Sequence, residues 1–201
     1  MLLTNLDLGS LLALVVALGV GISVHEAAHA FVADLLGDST AKNQGRVTLN
    51  PLAHLDPLGT VLLFVAGFGW GRPVPVNPRA FSRPALDEFL VALAGPASNL
   101  LTAALLGLAV QWLVPPAGLL AGILVITIQI NLFLMLFNLI PIPPLDGSKV
   151  LHILFGESVY EWLQLAALPL MLLLLVLLQS TPLGSTIAGL ASTLTRFFLG
   201  Q

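Results

Sequence analysis

The chain has 201 residues, of which 57% are hydrophobic and only 8% are charged, and its net charge is −3. A soluble domain carries about 25% charged residues, so this composition excludes an ordinary soluble fold and indicates a membrane protein. The small net charge and the lack of a basic patch with interleaved aromatic residues exclude a nucleic-acid partner. The absence of cysteine excludes disulfides and thiolate metal ligands. Because no linker or repeat divides the chain, we expect one membrane-embedded domain over residues 1–201.

The predicted elements are mainly transmembrane helices. Stretches that are long and apolar enough to cross a bilayer run roughly over residues 9–36, 88–114, 118–140 and 160–178, with a weaker one, rich in Ser and Thr, over 183–199. Pro169 is expected only to kink the fourth stretch. The predicted fold class is therefore an all-α polytopic membrane protein with about five transmembrane helices.

A segment of a different kind lies around residues 45–80, between the first two spans. Its apolar run over residues 58–69 is about a dozen residues long, which is too short to cross comfortably and suggests a re-entrant or interfacial segment. Residues 46–50 and 73–77 are rich in β-branched residues and have prolines in or beside them. They predict short strands or extended loops.

The basic residues predict the orientation of the chain. If the run 58–69 does not cross the bilayer, all seven Lys and Arg residues fall on one side. The loops on the opposite side, around residues 114–118 and 179–183, contain no charge. Basic loops remain in the cytosol, so we predict a multi-pass protein of the cell membrane with this side facing the cytosol.

A pattern typical of metal binding lies inside the first predicted span, in the sequence His-Glu-Ala-Ala-His. His25 and His29 are four residues apart, so on a helix they share one face and can hold one metal ion. Glu26 can then reach a water molecule on that ion. The alternative is a chance match, or buried histidines paired with the backbone. Each ionisable group costs about 2.5–3.5 kcal/mol at mid-membrane, so three of them in five residues favour a metal site.

A catalytic zinc ion needs a third protein ligand and keeps its fourth position open for water. The candidates are His54, His152 and the acidic residues. Asp146 is favoured because it follows a proline-rich segment at the end of the span 118–140, and irregular backbone in a membrane must be packed in protein or line a wet cavity. The alternative is that Asp146 caps the next helix. His25 lies roughly 17 Å from the cytosolic end of its helix, and the span before Asp146 runs to the same face, which predicts a site in the cytosolic half of the bilayer.

Three asparagines occur in otherwise apolar helices. Asn99 and Asn138 are candidates to bind the substrate backbone or a developing oxyanion, and Asn131 is a weaker candidate. The alternative is that these amides join neighbouring helices by hydrogen bonds, as is common in membranes.

Together, these motifs resemble the site-2 protease family of intramembrane zinc metalloproteases, in its compact prokaryotic form without PDZ or CBS domains. The resemblance lies in the His-Glu-Ala-Ala-His helix and in residues 49–59, 71–77, 94–99 and 138–147. Ser148-Lys149 departs slightly from the commoner family sequence after Asp146-Gly147.

The resemblance implies one zinc ion per chain, bound by His25, His29 and Asp146, with Glu26 as the catalytic acid–base. It implies hydrolysis of a peptide bond within or near the membrane span of single-span membrane-protein substrates, that is, regulated intramembrane proteolysis.

The alternative function is a non-proteolytic zinc-binding membrane protein, such as a transporter or a scaffold. Transporters commonly show repeated halves with broken helices at matching positions, and the sequence has no such repeat. An inactive scaffold would be expected to lose Glu26, which is present.

Overall fold

The computed structural model describes residues 7–66, 69–113 and 118–201, and these residues form nine α-helices. The long ones are α1 (Leu8–Leu35), α4 (Pro84–Leu113) and α5 (Leu119–Asn138). The shorter ones are α2 (Thr40–Asn43), α3 (Pro57–Ala66), α6 (Lys149–Phe155), α7 (Glu157–Leu165), α8 (Ala167–Ser180) and α9 (Pro182–Phe198). The predicted all-α class is confirmed.

The three long helices pack on one another and form the centre of the molecule. Small buried residues on α1, among them Ala13 and Ala17, allow a close approach. At Gly21 the space is so restricted that a Cβ atom would lie 2.8 Å from Leu134 Cδ1 on α5. Close packing of this kind drives helix association in a bilayer, where apolar burial gives little advantage.

Three helices, α1, α4 and α5, are long and apolar enough to cross a membrane, which makes this a multi-pass membrane protein. Helices α7 and α8 make a fourth span if they are taken together, but they are bent by 67°. Within the described residues, α9 with its 17 residues does not join this group. The count of three or four is lower than the predicted five.

The bend between α7 and α8 replaces the kink predicted at Pro169. The helix stops at Ala166 instead, and α8 starts again at Ala167. Pro169 therefore lies in the first turn of α8, where its missing N–H has no intrahelical partner to lose.

The segment between α1 and α4 differs in part from its prediction. The ten-residue helix α3 is about 15 Å long and so too short to cross a bilayer, in line with a re-entrant or interfacial segment. Over residues 45–66 and 69–80 no β-strand is present, and the predicted strands 46–50 and 73–77 are loops. One isolated antiparallel bridge, between Leu55 and Gly71, lies outside both of them.

Two buried polar side chains hold these loops together. The Arg46 guanidinium donates hydrogen bonds to the carbonyl oxygens of Pro73, at 3.2 Å, and Arg72, at 2.5 Å. His54 is fully buried, and its Nε2 atom lies 2.8 Å from the carbonyl oxygen of Thr48. The loop conformation therefore depends on side chain to backbone hydrogen bonds, in place of a strand ladder.

Candidate metal centre

The two histidines lie one turn apart on the buried face of α1. This helix is long because residues 8–35 are apolar and lack proline, and the Asp7 carboxylate caps its first turn by accepting the N–H of Ser10 at 2.8 Å. The rings of His25 and His29 are 4.5 Å apart between centroids. Both side chains are buried, as the predicted shared face requires.

Asp146 reaches the same place from the far end of α5. Three prolines among residues 139–145 end that helix, and Asp146 opens a short 3₁₀ turn, Asp146–Ser148. Gly147 is needed here because a Cβ atom would lie 2.7 Å from the carbonyl oxygen of Ile140. The irregular segment predicted from the prolines is therefore packed against the end of its own helix.

The three side chains converge on one point. The Oδ2 atom of Asp146 lies 3.0 Å from His25 Nε2 and 3.3 Å from His29 Nε2. One potential ligand atom from each residue lies within 4.8 Å of the others. Zinc bonds of about 2.0–2.1 Å in a tetrahedral site place neighbouring ligand atoms about 3.3 Å apart, so the two nitrogen–oxygen distances suit a zinc ion.

The hydrogen bonds of the site also fit a cation. His25 Nδ1 lies 2.6 Å from Asn99 Oδ1, and His29 Nδ1 lies 2.7 Å from the carbonyl oxygen of Val91. Both Nδ1 atoms face acceptors, so each neutral ring carries its hydrogen there and turns the Nε2 lone pair towards Asp146. Within the described residues, Asp146 Oδ2 is buried and accepts no hydrogen bond. One added proton could bind only some of these lone pairs, whereas one zinc ion could bind a lone pair from each of the three side chains.

Asn99 holds His25 in place through a chain of amides. Its Nδ2 atom donates to the carbonyl oxygen of Gly21, at 3.0 Å, and to Asn131 Oδ1, at 2.8 Å. Asn131 donates in turn to the carbonyl oxygen of Thr127 on its own helix. Both N–H hydrogens of Asn99 are thus engaged. These contacts favour the alternative considered above, that the amide joins helices, over a role in binding an oxyanion.

Gly95 on α4 makes room for the imidazole rings. A Cβ atom at this position would lie 2.6 Å from His25 Cε1 and would also overlap the His29 ring. Since α4 contacts both rings here and binds both Nδ1 atoms through Asn99 and Val91, it orients the two histidines without supplying a ligand.

We predict that Gly95→Ala weakens zinc binding about 10- to 100-fold, the range found when groups that orient metal ligands are changed. Alanine favours a helix more than glycine does, so α4 itself should be preserved. Gly122→Ala on α5 is the matched control, because a Cβ atom there meets nothing within 4 Å among the described residues. Zinc affinity of the two purified variants, measured by competition with a chelator, checks the prediction; equal affinities would contradict it.

The other predicted residues lie outside this group. Asn138 donates to the carbonyl oxygen of Leu134, at 3.0 Å, on its own helix. His54 is engaged in the loops described above, and the His152 ring stacks on Tyr160 with centroids 5.1 Å apart. Among the described residues, neither histidine has a ligand atom in the convergent set.

Glu26 is half-buried next to His25, on the side of α1 that faces the loops. Burial lowers the pKa of the Arg46 guanidinium, the nearby Glu26 charge opposes that shift, and the like charge of Arg72 adds to it.

Comparison with known proteins agrees with this chemistry. Residues 113–178, which include Asp146, match the sequence profile of Peptidase family M50. The chain is 47% identical over 181 residues to "Putative zinc metalloprotease YwhC" of Bacillus subtilis, covering 86% of this chain and 82% of that protein. It is 34% identical over 136 residues to "Putative zinc metalloprotease MJ0611" of Methanocaldococcus jannaschii, covering 68% and 67%.

A third relative is longer. "Putative zinc metalloprotease Rip2" of Mycobacterium tuberculosis is 37% identical over 139 residues, which cover 66% of this chain and 53% of that protein. No solved structure matches the chain.

With these relatives, a membrane-embedded helical fold in which two imidazoles and a carboxylate surround one point identifies a zinc metallopeptidase. The chain belongs to Peptidase family M50, the site-2 protease family.

Proposed function

We propose that this protein is an intramembrane protease, one membrane-embedded domain over residues 1–201, that hydrolyses a peptide bond within or near the membrane span of single-span proteins. The observation that carries the proposal is the position of the metal centre. His25 and His29 lie in the interior of α1, a helix that can itself cross the bilayer. A substrate that reaches them must enter the same depth of the membrane.

In the proposed mechanism, His25, His29 and Asp146 would hold the zinc ion. Bound zinc supplies a Lewis acid that lowers the pKa of water and polarises the scissile carbonyl. Glu26 accepts the proton of the attacking water and passes it to the nitrogen of the leaving amine. Asn99 and the Val91 carbonyl keep both imidazole rings oriented throughout.

We propose that a peptide approaches through an apolar cleft at the same level of α1 as the two histidines. Its volume is about 410 Å³, and it lies between α1 and the loop that follows α2. Neither Glu26 nor the three converging side chains line it, because the α1 residues of the cleft share a different face of that helix. The cleft is lined by Val24, Ala27, Ala28, Phe31, Val47, Thr48 and Leu49. A helical substrate must unwind before its carbonyl is accessible, and the loop residues of this cleft offer backbone groups to an extended peptide.

The proposal is tested by incubating the purified full-length protein with candidate single-span substrates, with and without a zinc chelator. We expect cleavage that the chelator abolishes and added zinc restores. Mass spectrometry of the products should place the cut in the cytosolic half of the substrate's span. Zinc binding without any cleavage would favour the transporter or scaffold alternative, and a consistent cut at the opposite face would contradict the proposed depth.

We further propose that the metal centre lies in the cytosolic half of the cell membrane. Arg79 and Ser180 are both exposed, and the basic-residue pattern assigns them to opposite faces. Because the chain has no cysteine, single Arg79→Cys and Ser180→Cys variants can be labelled on intact cells with an impermeant thiol reagent. Ser180→Cys should react, and Arg79→Cys should react only after permeabilisation. The reverse pattern would overturn the orientation.

A further inference from the structure

A partly buried ion pair joins α4 to the chain just beyond Asp146. The Lys149 ammonium donates to Glu88 Oε2 at a distance of 2.5 Å. Glu88 lies near the start of α4 and is only 6% exposed, and Lys149 is the first residue of α6, three residues after Asp146. The pair therefore bridges α4 and the segment that carries the carboxylate.

An aromatic side chain contacts the Lys149 end of this pair, and a second one stacks on the first. The Lys149 ammonium lies over the Tyr160 ring, 4.9 Å from its centroid, and His152 stacks on the same ring. The Tyr160 hydroxyl accepts a hydrogen bond from Gln164, which fixes the ring. Burial lowers the pKa of Lys149, but the hydrogen bond to Glu88 and the contact with Tyr160 outweigh that effect and raise it. Lys149 is therefore a charged residue with a defined position.

An ion pair with one buried partner is weak evidence for stability, because the cost of removing charge from water offsets much of the attraction. In this protein the ion pair matters because it fixes the position of the chain next to Asp146. Asp146 Oδ2 accepts no hydrogen bond from any described residue, so no outer side chain sets the direction of this carboxylate. Its direction depends on its backbone, which is held directly after Asp146 by the packing of Gly147 on Ile140 and two residues further on by Lys149.

Helix α4 brings these contacts together on one face. Glu88, Val91, Gly95 and Asn99 are spaced by three, four and four residues, which places them along a single stripe of a helix. Two of them bind the Nδ1 atoms of the histidines, and Gly95 makes room for both rings. Glu88 extends the same stripe to the third member of the site.

We propose that Glu88 and Lys149 are a positioning pair for the third metal ligand, which fixes the Asp146 segment on the helix that orients both histidines. This inference rests on the proposed ligand set, in which Asp146 binds zinc. It assigns to α4 the orientation of all three ligands.

The deciding variant is the neutral pair Glu88→Gln/Lys149→Met in the full-length protein, because it removes the ion pair without leaving a lone buried charge. We expect its zinc affinity, measured by chelator competition, to fall about 10- to 100-fold. Lys149→Arg keeps the charge and should keep the affinity. Lys42→Met is the matched control, since it breaks the exposed Lys42–Asp34 pair of 2.9 Å, far from Asp146 in sequence.

A merely structural role would give a different result. It would lower the thermal stability of the chelator-treated protein and leave the zinc affinity of the folded protein unchanged. The positioning role requires weaker zinc binding and an altered visible absorption spectrum of the Co²⁺-loaded protein, because the ligand geometry changes. Unchanged affinity and spectrum would overturn the proposal. If the neutral pair does not fold, Glu88→Gln replaces it with the same expected and contradicting results, because the charge then left alone is that of the partly exposed Lys149.

Asp146→Ala separates this inference from the ligand assignment on which it rests. If Asp146→Ala keeps zinc, the ligand assignment fails and the pair has nothing to position. If Asp146→Ala loses zinc while the neutral pair binds it as tightly as the parent, only the positioning role fails.

Discussion

Replacing Glu26 with glutamine should lower peptide hydrolysis about 100- to 10,000-fold, the usual contribution of a general acid–base, while zinc binding is retained. The amide has nearly the same shape as the carboxylate but cannot accept the proton of the attacking water. None of the three converging ligand atoms belongs to Glu26, so the metal centre should remain intact. Metal analysis of the purified variant beside a cleavage assay measures both quantities.

A suitable control is Glu157→Gln, which makes the same exchange at the exposed first residue of α7 and should leave cleavage unchanged. Full activity of Glu26→Gln would mean that another group accepts the proton. Loss of zinc from the same variant would instead give Glu26 a structural role in the site.

Replacing Asp146 with alanine should remove both zinc and activity. A change in a group that only orients a ligand costs about 10- to 100-fold in affinity, so the loss of a ligand itself should cost more than 100-fold. The two imidazoles that remain face an empty position, where a carboxylate oxygen lay 3.0 Å and 3.3 Å away. Zinc content after dialysis, and affinity by chelator competition, decide the outcome.

His54 and His152 are the alternative candidates for the third ligand, since three histidines can also hold a catalytic zinc ion. His54→Ala should keep zinc but loosen the loops, because its ring binds the carbonyl oxygen of Thr48. His152→Ala should keep zinc and disturb only the stacking on Tyr160. A histidine variant without zinc, together with zinc-bound Asp146→Ala, would show that the ligand has been assigned to the wrong residue.

The convergence of His25, His29 and Asp146 was predictable because each has a strong local signal. The spacing of four places His25 and His29 on one face of a helix, and inside an apolar span their polarity stands out. Asp146 is marked by the prolines before it and the glycine after it. These signals depend on residue type and neighbours in the chain, which a single sequence contains.

The groups that orient the ligands carry no comparable signal. His29 donates to the carbonyl oxygen of Val91, 62 residues away, and any residue type can offer that carbonyl. Glu88 and Lys149 look like ordinary charged residues near the ends of helices until the packing of α4 and α6 brings them together. Asn99 was recognised as unusual, but its partners depend on the contacts between three helices.

The elements of the fold likewise differ in whether the sequence near them in the chain predicts them. Long apolar runs identified α1, α4 and α5, because hydrophobicity over some twenty residues is a sufficient signal. The predicted span over residues 160–178 gave no sign of the break at Ala166, since the mean hydropathy of a stretch does not depend on the path of its backbone. In residues 45–80, the β-branched residues suggested strands, but side chain hydrogen bonds from Arg46 stabilise loops.

The stripe on α4 also offers a way to recognise inactive relatives. A relative that keeps the two histidines and the aspartate would be classed as an active enzyme if only its metal ligands were compared. If it carried a bulky residue in place of Gly95 and no amide in place of Asn99, its imidazoles would be crowded and turned away from the metal. Four positions on a helix that contributes no ligand could thus separate working enzymes from pseudoenzymes in a genome, and they are the positions to transfer first when this centre is built into a designed helical bundle.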